Sequence, residues 1–113
     1  MKRGEIWEVR LDPTLGSEMK KDRPCVIVSS DLMGRLPLKI VVPLTTWKSS
    51  FNSAPWHVFV KKAAENGLSK TSSADTFQVR SISESRLIRK LGFLLPEDME
   101  LINQGLSISL SLD

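Results

Sequence analysis

Several kinds of residue are scarce in this chain of 113 residues, and each scarcity excludes a class of protein. The only cysteine is Cys25, so an internal disulfide framework and a multi-cysteine zinc site are both excluded. The only histidine is His57, which excludes chemistry that needs a pair of imidazoles. No apolar run approaches the about 20 residues of a membrane helix, and no signal-like stretch follows Met1–Glu5. We therefore expect a cytoplasmic protein with no membrane partner.

Familiar catalytic and cofactor motifs are also missing from the sequence. It has no glycine-rich phosphate loop, no recognisable Ser-His-Asp arrangement and no cluster of ligands at metal-binding spacing. We therefore expect neither a cofactor nor a metal. His57 lies in a strand-like segment, which favours a surface histidine or a hydrogen-bonded structural histidine over a catalytic base. Cys25 lies in an apolar run, where a thiol packs as a small hydrophobe.

The overall composition is that of one globular domain. Hydrophobic residues make up 41% of the chain and charged residues 26%, which predicts a folded domain spanning residues 1–113. The net charge of +3 is unevenly distributed. Residues 96–113 contain four acidic and no basic residues, so the remainder carries +7. A basic body of this kind favours a polyanionic partner.

Period-two alternation and short apolar runs predict a mainly β chain. Glu5–Leu11 alternates, which places Trp7, Val9 and Leu11 on the face that we assign to the core. The almost entirely apolar segment Pro24–Ser29 predicts a central strand. Further extended segments are predicted at residues 39–44, 56–60, 72–79 and 87–94.

One helix is predicted, beginning near Pro96, because proline suits the first helical turn. Acidic side chains follow directly and complement the positive end of the helix dipole. Met99, Ile102 and Leu106 form an apolar stripe that extends to Leu110, while Gly105 weakens the helix by about 1 kcal/mol. Five or six strands with one terminal helix predict a small barrel-like β domain with the helix packed on it.

Arg23-Pro24 stands where a charged loop, which includes Lys20 and Lys21, leads into the central strand. An arginine is always cationic, its planar fork of donors suits phosphate, and a neighbouring proline fixes its direction. The alternative is an ordinary charged strand start in which Arg23 pairs with a carboxylate.

Polar side chains at two other strand ends are further candidates. Thr45 and Thr46 end the third strand. They are either β-forming residues of the strand or residues whose hydroxyls project into a cleft. Trp47-Lys48 places a stacking surface beside a cation, which suits single-stranded nucleic acid unless the tryptophan folds onto the barrel. Gln78 and Arg80 share one face of an extended segment, which either binds a substrate or is solvated.

Taken together, the motifs resemble the MazF/PemK family of toxins over essentially the whole chain. The resemblance lies in the order and spacing of several short segments and continues through Ser85–Gly92 and the terminal helix. The segments are Lys2–Trp7, Leu11–Thr14, Gly16–Glu18, Arg23-Pro24, Val42–Thr46 and Gln78–Ile82.

The resemblance implies a homodimeric SH3-like barrel that is the toxin of a type II toxin–antitoxin system. It implies metal-independent, sequence-specific cleavage of single-stranded RNA by attack of the 2′-hydroxyl, which leaves a 2′,3′-cyclic phosphate and a 5′-hydroxyl. It also implies a cognate antitoxin, and operator DNA bound together with that antitoxin.

Two residues match the family's catalytic positions, Arg23 and Thr45. Arg23 is expected to stabilise charge on the phosphoryl oxygens, and Thr45 to orient the 2′-hydroxyl or a phosphate oxygen. Candidates for RNA binding are Lys20, Lys21, Thr46, Trp47, Lys48, Gln78 and Arg80.

One position departs from the family pattern. Many relatives have an acidic residue immediately before the glutamine of the Gln-x-Arg segment, whereas this chain has Phe77, and the nearest carboxylate is Asp75. The general base is therefore unassigned. Two alternatives stay open: a gyrase-poisoning toxin of the CcdB type, and a relative that binds nucleic acid or antitoxin without cleaving.

Overall fold

The computed structural model describes residues 1–112. Within these residues no helix is both long and apolar enough to span a membrane. The regular elements, in chain order, are β1 (Glu5–Arg10), β2 (Asp22–Ile27), β3 (Leu38–Thr46), β4 (His57–Val60), β5 (Ser72–Asp75), β6 (Arg80–Ser83), β7 (Leu87–Phe93) and α1 (Pro96–Leu110).

The strands form one antiparallel sheet in the order β4-β5-β3-β2-β1-β7. The nine-residue β3 pairs along one side with β2, and on the other side first with β6 and then with β5. The central position predicted for β2 is confirmed, since it lies between β1 and β3. The predicted fold, mainly β with a terminal helix, is confirmed as well.

The sheet is an open barrel, because β4 and β7 stand at its two ends. A short 3₁₀ turn, Ala64–Asn66, packs against β7 beside this opening. Gly67 and Gly92 allow the approach, since a Cβ on either would overlap the backbone of the opposite segment. Gly67 also has a φ of 68°, which favours glycine. Backbone packing therefore links the turn to β7 there.

Both faces of the central strands are buried, in two separate apolar clusters. Along β2 and the residue after it, Val26 and Val28 lie in one cluster, while Cys25 and Ile27 lie in the other. This double burial explains the nearly continuous apolar run in the sequence.

The assignment of the faces of β1 was correct for one face and wrong for the other. Trp7, Val9 and Leu11 do belong to one cluster, as predicted. Ile6, on the face not assigned to the core, is completely buried in the other cluster together with Ile102 of α1. The helix covers this second face, and the alternation within β1 does not report that long-range contact.

Helix α1 begins at Pro96, as predicted, and packs on its own barrel. Ile102 is fully buried, but Leu110 is 52% exposed, so the predicted stripe is not buried to its end. A Cβ at Gly105 would lie 2.8 Å from methyl groups of both Val58 and Thr76. The glycine thus permits close packing of the helix on β4, a benefit that helix propensity does not reveal.

Candidate active site

Arg23 and Thr45 face each other across two neighbouring strands. The antiparallel register pairs Cys25 with Pro43, which places Arg23 at the start of β2 opposite Thr45 near the end of β3. The Arg23 Nη1 donates to Thr45 Oγ1 at 3.4 Å. The two residues that match the family's catalytic positions therefore meet in space.

The backbone orients the Arg23 guanidinium. Its Nε donates to the carbonyl oxygen of Lys20 at 2.8 Å. None of the ion pairs formed by residues 1–112 includes Arg23, so the alternative of a structural pair with a carboxylate is not realised. The remaining donors of the fork are available to an anionic ligand.

A cleft of about 230 Å³ opens where Arg23 and Thr45 meet. Sequence reasoning missed its third wall, the segment between the Ala64–Asn66 turn and β5. That segment is brought to β3 by the pairing of Ser72 with Thr46, a long-range contact that no local pattern announces. The cleft is lined by Asp22–Pro24, Leu44–Thr46, Leu68, Ser69, Lys70 and Ser72.

The buried thiol near this cleft is inert. Burial raises the pKa of Cys25 to about 12, although the positive charges of Arg23 and Arg80 act in the opposite direction. A thiol with such a pKa is protonated at neutral pH and is a poor nucleophile. The prediction that Cys25 packs as a small hydrophobe is confirmed, since it is fully buried.

The candidate RNA-binding lysines lie outside the cleft lining. Lys20, Lys21 and Lys48 are exposed. Lys21 has a φ of 71°, and its backbone N–H donates to Asp12 Oδ2 at 3.1 Å. This hydrogen bond joins the two ends of the loop before β2. Thr46, also exposed, lines the cleft beside Thr45.

Trp47 packs against the protein. Its ring meets Phe51 edge-on at 5.6 Å and Phe59 edge-on at 5.0 Å between centroids, and the residue is half-buried. Of the two alternatives for Trp47, folding onto the barrel is the one the structure shows.

The segment 72–79, predicted to be extended, is broken after Asp75 by a 3₁₀ turn, Thr76–Gln78, so Gln78 and Arg80 do not lie in one extended segment. They contact the loop before β2 and line a second cavity, outside the cleft. Gln78 Oε1 accepts from the N–H of Met19 at 3.1 Å, and its Nε2 donates to Ser17 O at 3.1 Å. Arg80 Nη1 donates to Leu11 O at 3.4 Å. The segment Gln78–Arg80 thus fixes the loop that carries Lys20, whose carbonyl in turn orients Arg23.

His57 has a structural environment, as predicted. Its Nδ1 lies 2.8 Å from Ser73 Oγ, and its ring stacks on Phe51 at 3.7 Å between centroids. Ser73 is fully buried, so its hydroxyl is not open to a substrate. Asp75 Oδ2 lies 3.9 Å from His57 Nε2.

Comparison with known proteins identifies the family. Residues 2–110 match the model of the PemK-like, MazF-like toxin of type II toxin-antitoxin system. The chain belongs to this family. It is 34% identical over 118 residues to Endoribonuclease MazF9 of Mycobacterium tuberculosis, with 99% of this chain and 98% of that protein covered.

Solved structures agree with the fold. Mycobacterium tuberculosis toxin MazF-mt6 superposes with a TM-score of 0.78 at 24% identity, over 96% of this chain and 98% of that one. An endoribonuclease in complex with its cognate antitoxin, from a mycobacterial species, gives 0.77 at 21% identity, over 100% and 97% of the two chains.

The departure at Phe77 leaves this MazF-like toxin without a carboxylate at that position. Phe77 is 70% exposed, and its N–H donates to Asp75 Oδ1 at 3.1 Å. Asp75 itself is buried and does not line the cleft. Asp75 therefore offers no carboxylate to a substrate in this cleft.

Proposed function

We propose that this MazF-like toxin is the toxin of a type II toxin–antitoxin system and cleaves single-stranded RNA, including mRNA, at specific sequences. The contact between Arg23 and Thr45 in an open cleft carries the proposal. It joins the two side chains that match the family's catalytic positions. The family membership and the endoribonuclease name of the 34%-identical relative support it.

The chemistry follows from the two side chains. The 2′-oxygen attacks phosphorus as the bond from phosphorus to the 5′-oxygen breaks, which leaves a 2′,3′-cyclic phosphate and a 5′-hydroxyl. Arg23 stabilises the charge that builds on the non-bridging oxygens. Thr45 orients the 2′-hydroxyl or a phosphate oxygen, because a threonine hydroxyl is too weak a base to act alone at neutral pH.

Long unstructured RNA incubated with the purified protein in EDTA tests this proposal. We expect discrete fragments whose 5′ ends are labelled by a polynucleotide kinase without prior phosphatase treatment, because they carry 5′-hydroxyls. Cleavage that appears only after magnesium is added would contradict the metal-independent mechanism.

A gyrase poison of the CcdB type is the second candidate function. Such a toxin has no need of an arginine and a threonine joined in a cleft, so the contact between Arg23 and Thr45 favours the nuclease. Inhibition of gyrase supercoiling with RNA left intact would reverse this choice.

The protein partners follow from the family. We infer that a cognate antitoxin binds this toxin, as in the mycobacterial complex, and that the pair binds operator DNA.

We also infer a homodimer in the cytoplasm. The side chains of Phe59, Leu101 and Ile108 are about half exposed and line an apolar cleft between β4 and α1, a surface that a second copy would cover. Light scattering should give twice the monomer mass of 12.7 kDa.

A further inference from the structure

Lys70 lines the same cleft as Arg23 and Thr45, but sequence reasoning gave it no role. The strand order is β5-β3-β2, and Lys70 lies two residues before β5. Arg23 and Lys70 therefore approach from strands on opposite sides of β3, which carries Thr45. A group held at Thr45 would have a cation on either side.

The backbone that carries Lys70 is fixed at several points. Ser72 Oγ donates to the carbonyl oxygen of Lys70 at 2.8 Å, and the N–H of Trp47 donates to Thr71 O at 3.1 Å. Before Lys70, the buried Asn66 accepts from the N–H of Leu68 at 3.0 Å, and the side chain of Leu68 is buried in the core. The side chain of Lys70 is exposed, but these contacts fix the backbone from which it extends.

No carboxylate neutralises this lysine within the described part of the chain. The ion pairs formed by residues 1–112 do not include Lys70. Of the residues that line the cleft, Asp22 is the one carboxylate, against the two cations Arg23 and Lys70. The lining therefore has an excess of positive charge, which favours an anionic group such as a phosphate.

We propose that Lys70 binds the phosphate under attack from the side opposite Arg23, as a second cation of the active site. This inference rests on the proposed function. In-line displacement builds negative charge on the two non-bridging oxygens, and Arg23 already uses donors on Lys20 O and Thr45 Oγ1. An ammonium on a flexible stem can reach an oxygen that Arg23 leaves unpaired.

The test compares Lys70→Met with the matched variant Lys62→Met. Lys62 is exposed and its N–H donates to Thr71 Oγ1 at 3.4 Å, next to Lys70, but it does not line the cleft. The substrate is a short RNA that spans one mapped cleavage site. Binding is measured on the same RNA with a 2′-deoxy sugar at that site, which cannot be cleaved.

At saturating protein, Lys70→Met should lower the single-turnover cleavage rate about 10- to 100-fold, less than the loss of a rigid donor. Its affinity for the 2′-deoxy RNA should change only a few-fold, and the slope of log affinity against log salt should fall by about one. Lys70→Arg should recover most of the rate, and Lys62→Met should behave like the wild type.

Equal cleavage rates for Lys70→Met and Lys62→Met would overturn this inference, even if Lys70→Met binds more weakly, because Lys70 would then only attract RNA. In that case the wild-type protein still cleaves RNA, so the proposed function stands and only the role of Lys70 is lost. If wild-type protein leaves RNA intact, the proposed function fails and this inference with it.

Discussion

Two regions of this toxin present an arginine close to the loop before β2: the cleft with Arg23 and Thr45, and the segment Gln78–Arg80. In the cleft, Arg23 makes one backbone contact and one long contact to Thr45. In the segment, both Oε1 and Nε2 of Gln78 form hydrogen bonds with the loop, and Arg80 donates to Leu11 O. Both match family motifs and both border a cavity, but the polar atoms of Gln78 are bonded to the loop, whereas Arg23 meets a threonine hydroxyl in its cleft. We therefore propose that Arg23 and Thr45 carry the chemistry and that Gln78 positions the loop.

The largest expected effect is at Arg23. Arg23→Ala should lower RNA cleavage about 100- to 1,000-fold, because one preorganised donor to the developing charge is lost. The side chain is half-buried and makes no ion pair in residues 1–112, so circular dichroism and the thermal midpoint should change little. Cleavage at the wild-type rate by this variant would remove Arg23 from the chemistry.

Thr45→Val should have the next largest effect. It keeps the shape of the side chain but loses the hydroxyl, so kcat/KM should fall about 10-fold, as expected for one neutral hydrogen bond. Thr45→Ser is the matched control and should retain most of the activity. A normal rate for Thr45→Val would show that the hydroxyl has no part in orienting the RNA.

Gln78→Leu tests the other side of the comparison. Loss of its two hydrogen bonds to the loop should lower the free energy of unfolding by about 1–2 kcal/mol, measured by urea denaturation. Cleavage should change only a few-fold, because Gln78 acts through the loop. The exposed Asn52→Leu serves as control. Unchanged stability together with a large loss of cleavage would instead place Gln78 at the RNA.

The smallest effect is expected from the double variant Lys20→Met, Lys21→Met. These lysines are exposed and lie outside the cleft lining, so we expect them to act only by attracting RNA over a distance. We expect a reduction in kcat/KM of about 2- to 5-fold at low salt that disappears at about 0.5 M salt, where such charges are screened. A salt-independent loss would show that they contact the substrate directly.

The sequence could predict the local features of this molecule. The start of α1 at Pro96 and the central strand β2 follow from capping and apolar patterning. The burial of Ile6 and the packing role of Gly105 could not be predicted, because both depend on where the helix lies on the sheet.

The candidate site was predictable in part. Arg23 and Thr45 could be named because their short motifs match the family. Lys70 could not, because the pairing of β3 with β5 brings it to the cleft. Gln78 and Arg80 also match family motifs. Their hydrogen bonds to two carbonyl oxygens and one N–H of the loop could not be predicted, because these bonds depend on the path of the loop.

A double-mutant cycle tests the central claim most directly. Single-turnover cleavage in EDTA is measured for the wild type, Arg23→Ala, Thr45→Val and the double variant. If both side chains act on one phosphate, their effects are not additive, and Thr45→Val should matter much less once Arg23 is absent. Independent losses that multiply fully, or wild-type cleavage by the double variant, would contradict the account of the cleft as one catalytic unit.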